Sequence, residues 1–177
     1  MNERSESFHI FGGDDTCWIF ACASNEARHL DDIVFCISVL RKRGVQDSAI
    51  FVFADHPAVE THLGPYGVEH VAPLHTMESV LAEKSYRYVV AVCGGHGTEF
   101  GLQANTPEAS ISPATLSRAV RSIKGAQVAA VVLCQCYAGV FNYMTADRGT
   151  PEFVVIGSAN FYPTISVTMR LKARIQD

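Results

Sequence analysis

The sequence predicts an α/β fold, a three-layer αβα sandwich built on a mostly parallel central sheet. Three observations predict it. Short, nearly continuous apolar runs recur along the chain. Amphipathic segments separate most of them. The 177 residues, 48% of them hydrophobic, are enough for one compact domain (residues 1–177) and too few for two. Strands that are apolar on both faces belong in a sheet covered on both sides, and that is the parallel arrangement.

The first run, Cys17-Trp18-Ile19-Phe20-Ala21-Cys22-Ala23, reads as a buried strand. Leu30, Ile33, Val34, Ile37 and Leu40 then recur at helical spacing, with Ser24/Asn25 as the expected cap and Gly44 as the stop. Ala49–Phe53 is the second strand. Residues 55–75 carry Pro57, Gly64, Pro65, Gly67 and Pro73 and read as a long irregular connection, with His56, His62, His70 and His75 solvated. Thr76–Lys84 is a short helix and Tyr88–Cys93 a third strand. Ser112-Pro113 opens a helix (cap residue, then proline at the first helical position) whose apolar face is Leu116, Ala119, Val120 and Ile123, ending at Gly125. Val128–Cys134 and Phe153–Ile156 are the fourth and fifth strands. Ile165, Val167, Met169 and Leu171 alternate as a sixth strand would, although the Lys/Arg content there also suits a helix. Phe8, Phe11, Phe161 and Tyr162 are expected to pack against the core.

Composition removes several functions. Net charge is −4, and the one basic run, Arg41-Lys42-Arg43, falls where a helix C-terminus favours cations, so nucleic acid is not the expected partner. No apolar run approaches the roughly 20 residues of a membrane helix, and the first fifteen residues lack the apolar core of a secretory signal. Of the six cysteines, Cys17, Cys22, Cys36, Cys93 and Cys134 lie inside apolar runs, where a thiol serves as a small hydrophobe. The expected location is the reducing cytoplasm. Cys136 differs, because it sits where an apolar run stops.

In a parallel α/β sheet the functional crevice lies beyond the carboxyl ends of the strands. Strand three is followed there by Gly94-Gly95-His96-Gly97-Thr98, and strand four by Gln135-Cys136-Tyr137-Ala138-Gly139. Neighbouring parallel strands about 4.8 Å apart would bring His96 and Cys136 out on one edge. An imidazole beside a thiol supplies the help that thiol needs to act as a nucleophile at neutral pH. The N–H groups of Gly97 and Cys136 would form a two-donor oxyanion hole.

Cys93-Gly94-Gly95-His96-Gly97 and Leu133-Cys134-Gln135-Cys136-Tyr137-Ala138-Gly139, each closing an apolar strand, resemble the paired signatures of the caspase–legumain superfamily of cysteine peptidases. Ser24–Asp32 is similar to the Arg-His-x-x-Asp start of the first helix in legumain-like members. Gly44–Ile50 is similar to their turn into strand two, and Gly97–Leu102 to the stretch after their histidine. The resemblance spans roughly residues 16–160 and implies a caspase-hemoglobinase fold with cleavage of peptide bonds in protein or peptide substrates. It implies His96 as general acid/base, Cys136 as nucleophile, and Gly97 and Cys136 as oxyanion donors. It also implies a side-chain pocket at Arg28, Cys134 and Ser158-Ala159-Asn160, with regulation by maturation, dimerisation or a protein partner. No metal or organic cofactor is required.

The chain departs from the pattern at Cys134, where relatives often carry Glu, Asp or Gln, so a preference for basic side chains is not expected. Arg28 would receive an acidic side chain, or pair with Asp31 or Asp32 as an ordinary first-turn residue. Two alternatives use the same residues. Cys93, His96, Cys134 and Cys136 offer the donors of a tetrahedral zinc site, although strand alternation turns Cys93 away from the others. A catalytically inactive caspase-like binding module would keep the fold without the chemistry.

Overall fold

The computed structural model describes residues 13–24, 26–55, 57–103, 110–146 and 148–161. Six strands form one all-parallel sheet: β1 (Thr16–Cys22), β2 (Ile50–Ala54), β3 (His70–Ala72), β4 (Tyr88–Gly94), β7 (Val128–Cys134) and β8 (Glu152–Gly157). Their spatial order is β3-β2-β1-β4-β7-β8. The chain winds outward from β1 through β2 to β3, then crosses to β4 and winds the other way. The direction reverses between β1 and β4, which is where such sheets open a crevice. A two-stranded hairpin, β5 (His96–Thr98) and β6 (Gly101–Gln103), stands apart from the sheet.

Parity sends alternate strand residues to opposite layers. Cys17, Ile19 and Ala21 of β1, with Val89, Ala91 and Cys93 of β4, pack under α3 (Met77–Ala82) and α4 (Pro113–Arg121). Trp18, Phe20 and Cys22 face α1 (Ala27–Lys42), whose Leu30, Ile33, Ile37 and Leu40 form its buried stripe. The strands are therefore apolar on both faces because both faces are covered. Each fully buried Leu, Ile or Phe contributes about 1.5–3 kcal/mol of transfer free energy. Ser112 caps α4 by accepting the Thr115 N–H at 3.1 Å, with Pro113 at the first helical position, as expected.

Three expectations need correction. The connection at 55–75 is not wholly irregular: it holds α2 (Val59–Leu63) and β3, paired with β2 at Phe51↔His70, Val52↔Val71 and Phe53↔Ala72. A three-residue edge strand between Gly67 and Pro73 is too short for alternation to register. His70 is not simply solvated, because its ring stacks on Phe51 at 4.7 Å between centroids, while His62 Nδ1 lies 3.1 Å from the Ala58 carbonyl. Phe161 is 47% exposed rather than part of the core. His56, the alternating tail beyond residue 161, and Phe8, Phe11 and Tyr162 lie outside the described residues.

Arg41 explains the basic run. Its guanidinium ties the last turn of α1 to Asp47 Oδ1 at 2.7 Å and to the carbonyls of Tyr66 at 2.5 Å and Gly67 at 3.3 Å. Among the described residues, no helix is long and apolar enough to cross a membrane.

Candidate active site

Register places the rim. Cys22 pairs with Gly94, Gly94 with Cys134, and Leu133 with Gly157. The segments after β1, β4, β7 and β8 therefore leave the sheet at one edge, and this brings together the neighbourhoods of Glu26, His96, Cys136 and Ser158–Asn160. The tightest link is between Gly97 and Cys136. A Cβ on Gly97 would lie 1.9 Å from the Cys136 carbonyl oxygen, so the two main chains touch with no side chain between them. Gly95 makes the preceding turn at φ +131°, a conformation open to glycine and strained for other residues.

The hairpin orients the Gly97 amide. Leu102, opposite Gly97, spends its own N–H and carbonyl on Ile111 at 2.9 and 3.0 Å. Gly97 and Leu102 are thus a non-hydrogen-bonded pair, and the Gly97 N–H is directed away from β6.

His96 is 54% exposed, and its Nε2 meets Glu26 Oε1 in a short contact. The other carboxylate oxygen of Glu26 accepts from Arg28 Nε at 2.5 Å. Arg28 and His96 together hold the Glu26 carboxyl down at about 2. The His29 ring stands edge-on to His96, 5.7 Å between centroids. His29 is largely buried and its Nδ1 has no hydrogen-bond partner among the described residues. Burial pushes its pKa below 6.5; Arg28 and His96 act in the same direction, and Glu26 and Asp32 oppose them.

Cys136 is half-buried at the end of the β7 run. Burial raises four other thiols: Cys17 to about 12, Cys22 to about 11, Cys93 to about 12 and Cys134 to about 11. These four are packing groups. Gln135, beside Cys136, is 1% exposed with neither amide atom partnered among the described residues. Tyr137 follows in the left-handed region at φ 54°, where a non-glycine residue costs of order 1–3 kcal/mol. This bend turns the chain from β7 into the 3₁₀ segment Ala138–Ala146, whose Ala138 and Phe141 are fully buried.

The expected side-chain pocket divides. Ser158, Ala159 and Asn160, with Gly139, Asn142 and Gly157, line an open, uncharged cavity of about 340 Å³. Cys134 and Arg28 are not among its lining residues. Cys134 shares its register with Cys22, whose side chain packs on the α1 side, and it feels Cys36 and Asp32 of that helix. Arg28 pairs with Glu26. The same parity separates the thiols of the zinc alternative, since Cys93 lies in the opposite layer from Cys134. No group of three or more His, Cys, Asp or Glu residues suited to a metal occurs among the described residues.

Sequence reasoning missed Glu26, His29 and Tyr137. Glu26 looks like any acidic residue near a helix start, and its partner lies 70 positions away. The expected cap also moves: Glu26 occupies the cap position of α1 with no side-chain capping bond, while Ser24 Oγ accepts the Glu26 N–H at 3.1 Å. Asn25 lies outside the described residues. No protein-family model matches this chain, and neither does any curated protein.

Proposed function

We propose that this protein is a cysteine endopeptidase that hydrolyses peptide bonds in protein substrates through Cys136 and His96. The observation that carries this reading is the main-chain contact between Gly97 and Cys136, which brings an imidazole-bearing turn and a half-buried thiol to one rim at the reversal point of the sheet.

With Nε2 of His96 committed to Glu26, Nδ1 is the ring nitrogen left to exchange a proton with Cys136. The Cys136 Sγ attacks the substrate carbonyl carbon. The oxyanion is received by the N–H groups of Gly97 and Cys136, each such donor being worth about 2.7–4 kcal/mol in kcat in other enzymes. The S–C bond forms, the C–N bond breaks, and His96 hands the proton to the departing amine. Water then hydrolyses the thioester, so no other co-reactant is consumed. The uncharged cavity at Ser158–Asn160 supports recognition of a neutral or polar side chain beside the scissile bond. All six cysteines are thiols, which supports a reducing, cytoplasmic setting.

A peptide-library cleavage profile of the wild type beside Cys136→Ala tests the reading. Cleavage by the wild type and none by the variant, with unchanged thermal unfolding, is the expected result. Equal cleavage by both proteins overturns it.

A further inference from the structure

Gln135, the residue before Cys136, is 1% exposed, and neither its Oε1 nor its Nε2 has a hydrogen-bond partner among the described residues. The chain bends at this position. Its Cγ would lie 2.8 Å from a Cβ on Gly97, so the amide begins one bond beyond the closest approach of the His96 turn to the Cys136 bend. The buried side chains around this junction are apolar. Leu102 lies opposite Gly97, Leu133 comes two residues before Gln135, and Ala138 and Phe141 follow it. A buried amide with both ends unpaired is a loss to stability that an apolar side chain of the same shape would not incur. Local losses of this kind persist where a functional group requires them, and the strained Tyr137 is a second one in the same bend.

We infer that Gln135 is a positioning residue for the oxyanion hole: its amide packs against the Gly97 and Cys136 peptide groups and turns its N–H end toward the negative charge that develops there. The inference deepens the peptidase reading and rests on it. A side-chain amide is a donor at one end and an acceptor at the other, and with neither end bonded both orientations are open to it. When Cys136 adds to the substrate carbonyl, the carbonyl oxygen becomes an anion received by the N–H groups of Gly97 and Cys136. That charge selects one orientation of the Gln135 dipole. In an apolar surrounding closed to solvent, the dipole acts on the charge with little screening. Gln135 is out of the substrate's reach and acts only through the hole it packs against. Its contribution exists in the transition state and is absent for the neutral carbonyl of bound substrate, so it enters kcat and leaves KM alone.

Gln135→Met and Gln135→Leu in the full chain test this, since both keep a similar volume and remove the dipole. In urea unfolding, both variants are expected to match or exceed the wild-type midpoint, because no hydrogen bond is lost. On a cleaved library peptide, kcat should fall about tenfold in each with KM within about twofold, short of the roughly hundred- to thousandfold of a direct oxyanion donor. A peptide aldehyde of the same sequence gives the matching readout. Cys136 Sγ adds to its carbonyl carbon, the thiol proton passes to the oxygen, and that oxygen occupies the oxyanion position. Its inhibition constant should rise about tenfold, in step with kcat. Alkylation of Cys136 by iodoacetamide is the control. There the sulfur displaces iodide at a saturated carbon and no oxyanion forms, so wild-type and variant rates should agree within about twofold.

Unchanged kcat and unchanged aldehyde affinity in both variants overturn the inference and leave the peptidase reading standing. A lowered urea midpoint in both also overturns it, because the fold would then be holding the amide. So does a fall in alkylation rate as deep as the fall in kcat, which puts the effect on Cys136 itself. A wild type that cleaves no library peptide overturns the peptidase reading, and the inference with it.

Discussion

A methyl group at position 97 would overlap the Cys136 carbonyl oxygen at 1.9 Å, and the Gln135 Cγ and Cys136 carbonyl carbon at 2.8 and 2.9 Å. Two of these three atoms are main chain, so nothing can swing aside. Gly97→Ala must push the β4–β5 turn and the Cys136 bend apart. Overpacking of this kind costs about 1–3 kcal/mol. It should also displace the proposed oxyanion donor, so that kcat/KM falls by at least about a hundredfold. Urea unfolding and peptide kinetics check the two effects separately; a variant with wild-type stability and rates would show that the contact is dispensable. Tyr137 carries backbone strain next to the same bend, the kind of local cost that persists where the surrounding structure holds a functional group in place.

At the scale of an element, the first turn of α1 is the part that reads differently once folded. As sequence it is a capped, amphipathic helix start; in space, Glu26, Arg28 and His29 form one wall of the rim. His29 gives this wall a pH signature. Its pKa is below 6.5 in the folded protein, chiefly through burial. As pH falls through about 6.5 the unfolded chain takes up a proton that the folded ring resists, so stability is full above that pH and declines below it. The decline levels off once the folded ring is protonated too. The urea midpoint should therefore drop between about pH 7 and pH 5, and His29→Gln should flatten part of that slope; parallel slopes for the two proteins would refute the effect. The β5–β6 hairpin shows the same gap between sequence and space. Its strands are three residues each, too short for alternation to announce, and Phe100 at its tip is 78% exposed.

Across the whole molecule, two apolar layers on one parallel sheet sort the six thiols. Cys17, Cys22, Cys93 and Cys134 are buried between the sheet and its helices, with pKa values raised to about 12, 11, 12 and 11. Cys36 and Cys136 are half-buried. Alkylation of the native protein near pH 8 should thus modify Cys136 first and Cys36 next, with the other four reacting only in denaturant. Peptide mapping checks this, and modification of Cys93 or Cys134 in the native protein at the Cys136 rate would contradict the layering.

The sheet was legible in the sequence because burial on both faces leaves a local mark. A continuous apolar run such as Val128–Cys134 is a strand wherever its neighbours lie, and Ser112-Pro113 starts a helix by local hydrogen bonding alone. The short edge strand β3 escaped because three half-exposed residues carry no period. The positions of His96 and Cys136 after successive long strands were equally legible, since they follow from strand ends and crossover rules. Which other groups surround them was not. The pairing of Glu26 with His96, the turning of Cys134 toward α1 and away from the cavity, and the separation of Arg28 from Ser158–Asn160 depend on register between strands far apart in sequence. Periodicity tells a residue which face it occupies; only the packed sheet tells it which residue stands opposite.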